Sequence, residues 1–284
     1  MSRVIALIGY PLGHSISPVF QQAAFDHYGI DVRYEKWETE TSHLPEMIGR
    51  LRQSQALGAN VTIPFKEAVI PLLDEMDRLA AQIGAVNTIV NHDSRLIGYN
   101  TDASGFIRAL RQEGDFEPRG KCAALIGAGG AAKAVGFALV GEGVRRLTIA
   151  NRSADRAVRL ASLLRTGAPA GTAITTLRWD EAKSKGSFSS DDLLVNCTSL
   201  GMKQSQAEGE TPLAEASIPR GALVFDLVYN PIETPLLIEA RRAGARALGG
   251  LAMLVYQGAE SFQLWLNRKP PVDIMFNQAR ESLE

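Results

Sequence analysis

The stretch KCAALIGAGGAAKAVGFALVGEGVRRLTIAN, Lys121–Asn151, decides the fold. Its first seven residues are an apolar run that reads as a buried strand. A glycine loop follows and opens a helix-forming stretch, and RRLTIAN reads as the next strand. The loop carries Gly127-x-Gly129-x-x-Ala132. The first glycine permits a tight turn, and the second lets backbone approach a pyrophosphate. The small third residue lets helix and strand pack closely, and the helix N-terminus supplies N–H donors. A glycine loop by itself also serves as a plain turn. Between a strand and a helix, with a second strand beyond, it predicts dinucleotide binding.

The same rhythm continues outward. After Asn151 come the helix ADRAVRLASLL, a strand near 172–177, the strands DLLVNCT and ALVFDLV, and a short strand near 245–248. This is a doubly wound, Rossmann-type unit of ordinary domain size. Towards the N-terminus, strands read near 3–9, 31–37, 58–63, 85–91 and 95–98, with helices at 17–28, 44–54 and 66–73. Ser17-Pro18 reads as a capping side chain with proline at the first helical position. Alternating strands and helices predict an α/β protein with mainly parallel sheets. Residues 101–114 read as a helix joining two units. The helices at 251–267 and 272–282 are too few to form a domain and are expected to pack back on the first unit. The expected plan is a discontinuous substrate-binding domain, 1–102 with 251–284, and a nucleotide-binding domain, 103–250. A cleft between them would be a favoured place for small-molecule chemistry. The segment 201–211 is the most loop-like stretch.

Composition excludes several classes. The 284 residues are 45% hydrophobic and 21% charged, with net charge −1. That describes an ordinary globular chain without a polybasic surface for nucleic acid or membrane. The apolar run in MSRVIALIGYP is too short for a signal segment or a membrane span. Cys122 and Cys197 lie in strand-like runs and read as buried free thiols of a reducing cytoplasm. The four histidines (His14, His27, His43, His92) are scattered, with no i, i+4 pair and no CxxC, so no metal site is expected.

The end of the second Rossmann strand selects the nucleotide. A carboxylate there would bond the ribose 2′-hydroxyl of NAD. This chain has ANRSADR instead. Arg152 can pair with a 2′-phosphate and lie on adenine, while Asn151, Ser153 and Arg156 add donors. Asp155 lies one turn on and can cap the helix. NADP is expected over NAD.

In the N-terminal region, polar residues recur at the ends of apolar strands. They are Ser15 and Ser17 of GHSISP, Asn60 and Thr62 of ANVT, Asn87 of AVNT, and Asn100 and Asp102 of YNTD. Ligands bind beyond the carboxyl ends of strands in open parallel sheets. Each residue alone is an ordinary cap or turn residue. With Lys66 of GANVTIPFKEAV and Asp102, the set reads as a pocket for a hydroxyl-rich small molecule.

Taken together, GHSISP, GANVTIPFK, GAVNT, YNTDA, IGAGGAAKA, ANRSADR, NCTSLGM, DLVYNPIETPLL and GGLAMLVYQGAESF resemble the shikimate dehydrogenase family over nearly the whole chain. The resemblance implies reversible NADPH-linked reduction of 3-dehydroshikimate to shikimate, on the route to chorismate and aromatic amino acids. It implies that Ser15 and Ser17 hold the substrate carboxylate, helped by Tyr229. Asn60, Thr62, Asn87, Asp102 and Gln257 would hold the ring hydroxyls, with Lys66 and Asp102 as the catalytic pair. Gly127, Ala128, Gly129, Gly130 and Ala131 would take the pyrophosphate, and Asn151, Arg152, Ser153, Ala154, Asp155 and Arg156 the adenosine 2′-phosphate. Thr198, Leu227 and Gly250 would line the rest of the cofactor path. The departures are small: Ser153 for a common threonine, Cys197 for a common alanine, and Ala252 for a frequent glycine.

Oxidising a secondary alcohol requires a hydride acceptor, which the nicotinamide provides, and a group that takes the hydroxyl proton. Lys66 is expected to exchange that proton. Desolvation favours its neutral amine and the Asp102 carboxylate its ammonium form, so the sequence leaves open whether it is a base or a fixed charge stabilising the alkoxide. A quinate/shikimate dehydrogenase of the same superfamily is the nearest alternative. An amino-shikimate relative, a non-catalytic NADP-binding paralogue and a folate-linked dehydrogenase stand further off. The expected partner is a small-molecule substrate, with the protein a monomer or homodimer.

Overall fold

The computed structural model describes residues 3–203 and 205–284. Met1 and Ser2, assigned above to the first domain, and Gln204, in the 201–211 loop, lie outside the described residues. The chain divides into two compact units. One comprises the residues up to Gly105 with Leu254–Ser282, the other Phe106–Met253.

The first unit begins β1 (Arg3–Gly9), α1 (Ser17–His27), β2 (Val32–Glu38), α2 (Leu44–Arg50) and β3 (Ala56–Val61). It continues β4 (Glu75–Met76), α3 (Arg78–Ile83), β5 (Thr88–His92), β6 (Arg95–Tyr99) and the start of α4 (Thr101–Gln112). The sheet order is β2-β1-β3-β5-β6-β4. Strand β1 pairs parallel with both neighbours, and β4 pairs parallel with β6. Strand β5 runs antiparallel to β3 and β6, with Asn60 opposite Thr88 and Thr88 opposite Tyr99. That reversal puts the start of β5 beside the carboxyl ends of β3 and β6. Three polar segments, around Asn60, Asn87 and Asn100, therefore meet at one sheet end.

Ile5, Ala6, Leu7 and Ile8 of β1 are all buried, as expected for a central strand covered on both faces. The core under β3 and β5 gathers Ile48, Val61, Phe65, Val69, Val86 and Ile89. The C-terminal helices return to this unit. In α9 (Leu251–Leu266), Phe262 stacks on Phe25 of α1 and Trp265 Nε1 donates to the Ile89 carbonyl at 2.9 Å.

Between α4 and α9 the second unit runs β7 (Cys122–Ile126), α5 (Gly130–Gly141), β8 (Arg146–Asn151), α6 (Ala154–Thr166), β9 (Ala173–Arg178) and α7 (Trp179–Ala182). Then follow β10 (Leu193–Asn196), β11 (Leu223–Asp226), α8 (Pro235–Arg242) and β12 (Arg246–Leu248). All six strands are parallel, in the order β12-β11-β10-β7-β8-β9. This is the 3-2-1-4-5-6 order of doubly wound dinucleotide folds, with its switch point between β7 and β10. The last helix of the chain, α10 (Val272–Glu281), packs against α1 in the first unit.

Three local expectations change. The helix expected at 66–73 is a turn followed by a short 3-10 segment, Ile70–Leu72. Pro71 has no N–H to give to the Glu67 carbonyl, so the α-helical ladder cannot propagate. The pieces β4 and α3 fill a stretch, 74–84, to which the sequence reading assigns no element. Ser17 is the first residue of α1 rather than its cap; the Ser15 hydroxyl accepts the Ser17 N–H at 3.4 Å.

Candidate active site

The segment that carries Lys66 is fixed at both ends by apolar anchors. Phe65 and Val69 are buried in the core, and the Phe65 N–H donates to the Thr62 carbonyl. The Lys66 carbonyl accepts the Val86 N–H at 2.7 Å, tying the turn to the residues just before Asn87. With its backbone held, the half-buried lysine points its Nζ at Asp102 Oδ2, 2.6 Å away.

Asp102 stands in the first turn of α4, where the helix dipole favours a carboxylate. The Asn100 side chain begins that helix: its Oδ1 accepts from Ala103 N–H and its Nδ2 donates to the Ala85 carbonyl. The second carboxylate oxygen, Oδ1, accepts from Asn87 Nδ2 at 2.9 Å. The Asn87 amide cannot be turned over, because its Oδ1 accepts the Thr101 backbone N–H at 2.7 Å. One backbone donor thus sets the direction of the Asn87–Asp102 bond. Asn87 Nδ2 also reaches Thr101 Oγ1 and Gln257 Oε1.

Beneath lies a sealed polar layer. The Ser261 hydroxyl, fully buried, contacts Thr88 Oγ1 at 2.7 Å and Thr101 Oγ1 at 3.2 Å, and donates to the Gln257 carbonyl. Asn60 Nδ2 donates within this layer to Thr88, Ser261 and the Asn87 carbonyl, and Tyr34 Oη donates to Asn60 Oδ1 at 2.7 Å. Each buried donor finds an acceptor, so the layer is rigid. Both amide hydrogens of Asn60 are therefore engaged inside the protein. Ser15, Ser17 and Thr62 have no such use for their hydroxyl protons: none of the three hydroxyls donates a hydrogen bond among the described residues. The first unit thus brings together Lys66, Asp102, Asn87 and Gln257. Tyr34, Thr88, Thr101 and Ser261, which the sequence reading did not name, support them. Thr88, Thr101 and Ser261 sat inside quoted motifs, GAVNT, YNTDA and GGLAMLVYQGAESF. Tyr34 carried no signal beyond an alternating strand.

In the second unit, Gly127 follows β7 with φ +114°, a conformation that favours glycine. A Cβ there would lie 3.1 Å from Thr198 Cγ2. Beside Gly129 the space is open, with nothing within 4 Å. Thr198 is held by Asn196, whose Oδ1 accepts both its N–H and its hydroxyl. Gly250 sits where a Cβ would meet the Leu227 carbonyl at 2.2 Å, so backbone runs against backbone there.

At the end of β8 the Asn151 amide donates to the Ser153 carbonyl, and exposed Arg152 has no ion-pair partner among the described residues. Ser153 occupies the N-cap of α6 without a side-chain cap bond, and Asp155 makes none either; its expected capping role is absent. Asn151, Arg152 and Thr198 line a cleft of about 660 Å³. An open glycine turn, a helix N-terminus and a free arginine at the second strand fit a dinucleotide bearing a 2′-phosphate. Tyr229 also belongs to this unit, in the loop after β11. Among the described residues no cluster of His, Cys, Asp and Glu is arranged for a metal ion. No helix among them is long and apolar enough to cross a membrane.

A doubly wound nucleotide unit with an unpaired arginine, and a second α/β unit with a partly buried lysine–carboxylate pair, define a nicotinamide-nucleotide oxidoreductase. Comparison with known proteins narrows this. Residues 7–89 match the shikimate dehydrogenase substrate binding domain, and residues 110–184 the shikimate / quinate 5-dehydrogenase family. Residues 250–284 match the shikimate 5′-dehydrogenase C-terminal domain. The chain is 46% identical to an NADP(+) shikimate dehydrogenase of Moorella thermoacetica over 99% of its length and 93% of the relative's. A solved shikimate dehydrogenase in complex with NADP+ superposes with TM-score 0.91 at 34% identity, over 100% of this chain and 96% of that one. The shikimate 5-dehydrogenase of Thermus thermophilus in complex with NADP(H) and shikimate gives 0.87 at 35% identity, over 99% and 100%. The chain belongs to the shikimate dehydrogenase family.

Proposed function

We infer that the protein is an NADP-dependent shikimate dehydrogenase, reversibly reducing 3-dehydroshikimate to shikimate on the route to chorismate and the aromatic amino acids. The observation that carries this reading is the Lys66–Asp102 pair, 2.6 Å apart in a setting that fixes both partners. NADP, when bound, accepts or returns the hydride at the alcohol carbon. Gly127, Ala128, Gly129, Gly130 and Ala131 would hold its pyrophosphate. Asn151 to Arg156 would hold its 2′-phosphate, and Thr198, Leu227 and Gly250 the remainder.

The chain's own residues manage the proton and the orientation. Lys66 Nζ exchanges a proton with the substrate oxygen: it gives one up as the alkoxide forms in reduction, and takes one in oxidation. Asp102 Oδ2 aims Nζ, while Asn87 fixes Oδ1. Ser15 and Ser17 offer hydroxyl donors to the substrate carboxylate, with Tyr229 assisting. Thr62, Asn87, Asp102 and Gln257 bind ring hydroxyls. Asn60 belongs to the same set of ring-hydroxyl contacts, positioned by its bonds to Tyr34, Thr88 and Ser261. The intact pair weighs against a non-catalytic NADP-binding paralogue, which has no need of it.

The second reading is quinate/shikimate dehydrogenase, because one matching family covers both substrates. Unpaired Arg152 at the end of β8 favours NADP and so argues for the first reading. Turnover with shikimate and with quinate, each with NADP and NAD, separates them. The expected best pair is shikimate with NADP; quinate with NAD as the best pair overturns it. The domain assignment, 1–102 with 251–284 and 103–250, and a monomeric or homodimeric cytoplasmic protein belong to the same proposal. The free thiols Cys122 and Cys197 are in keeping with that compartment.

A further inference from the structure

The cleft beside Arg152 has a second wall. It is formed by α7 and the residue after it: Trp179 and Lys183 line the same cleft as Asn151 and Arg152. This wall is anchored. Ala182 is buried, and Trp179 packs against the core of Ala124, Ile126, Ala150, Leu194 and Val224. The turn is closed by Glu181, whose carboxylate accepts the Arg178 N–H.

Lys183 Nζ lies 5.2 Å from the Trp179 ring centroid, over an aromatic face rather than against a carboxylate. Asp180, the other acid of the helix, is taken by the Arg178 guanidinium. Neither Lys183 nor Arg152 has an ion-pair partner among the described residues. The lining therefore presents two unpaired cations and a single carboxylate residue, Glu210. That is a local positive surplus on a chain of net charge −1. A ring–ammonium contact at an exposed site is weak, so redirecting the ammonium breaks no salt bridge. A phosphate monoester carries about −1.5 to −2 charge near neutrality and has oxygens for more than one cation.

We propose that Lys183 is a further cation for the 2′-phosphate of NADP, acting with Arg152 from the opposite wall and held ready on the Trp179 face. The inference rests on the NADP reading and adds a specificity-determining residue to it, one supplied by α7 rather than by the end of β8.

The test is calorimetric titration of the full chain with adenosine 2′,5′-bisphosphate and with adenosine 5′-monophosphate, for wild type, Lys183→Gln and Lys183→Arg. Lys183→Gln should weaken the bisphosphate by about 3- to 30-fold and leave the monophosphate unchanged. Lys183→Arg should recover most of the loss, and added salt should narrow the gap between wild type and Lys183→Gln. Equal weakening of both nucleotides, or of neither, overturns the role of Lys183. If wild type itself binds the bisphosphate no better than the monophosphate, the NADP reading fails instead. Lys183 is exposed, so unchanged thermal unfolding of Lys183→Gln certifies the comparison.

Discussion

A lysine at the end of a buried strand is in most proteins a solvated charge. At Lys66 the surroundings decide otherwise: Phe65 and Val69 hold its backbone, and Asp102, itself fixed by Asn87, holds its head group. Replacing it by methionine keeps the stem and removes the exchangeable proton. Lys66→Met should lower kcat by about 10²- to 10⁴-fold with little change in shikimate KM. Steady-state kinetics check this, and near-normal kcat would remove Lys66 from the chemistry. Asp102→Asn keeps the size but loses the charge facing Nζ. It should lower kcat and raise KM together and shift the pH–rate profile; a superimposable profile would argue against any part in proton transfer. Lys66, Asp102 and Asn87 were legible in the sequence because their motifs are contiguous and rich in polar groups. Tyr34 and Ser261 were not, because their role comes from strand register and helix return, which no local pattern records.

At the scale of elements, the glycine loop was legible in full: the strand, the turn and α5 follow directly from spacing. The turn after Pro64 was not. The residues from Lys66 to Leu73 have helical propensity, and only Pro71 told against a helix. A buried carboxylate at the end of β11 also went unread. Asp226 is fully buried and accepts from Asn196 Nδ2, Val228 N–H and Thr234 Oγ1. It holds the Asn196 amide that in turn holds Thr198 beside Gly127. Burial outweighs the three donors and leaves its carboxyl raised to about 6. The folded chain then keeps this proton between about pH 4 and 6, where the unfolded chain has released it. The resulting stabilisation is present at the acidic end and is lost as pH rises through 6, by at most on the order of 3 kcal/mol. Asp226→Asn should abolish that component. Between about pH 4 and pH 7, wild type should lose stability relative to the variant in denaturant unfolding. Parallel curves would refute the assignment.

At the scale of the molecule, the first unit is built from two separated pieces of chain. Its sheet comes from the N-terminal piece, but Ser261, Phe262 and Trp265 come from α9. The two late helices suggested this return through their count alone, since two helices cannot enclose a core of their own. Which residues they would bury was not legible. A chain ending at Met253 should keep the nucleotide unit and bind adenosine 2′,5′-bisphosphate. It should leave the first sheet uncovered and fail to bind shikimate. Paired calorimetric titrations measure both, and retained shikimate binding would show that α9 is dispensable.

The discontinuity also gives the protein a timetable. During synthesis, Phe25 and the Ile89 carbonyl leave the ribosome well before Phe262 and Trp265 exist to meet them. About 150 residues of the second unit come between. At cellular elongation rates that interval is roughly 7–30 s. The second unit is one uninterrupted segment and can close on its own during that time, while the earlier piece waits with an exposed apolar surface. The order of translation is therefore the reverse of the order of completion, and nascent chains stalled inside α9 would be the ones that call on chaperones.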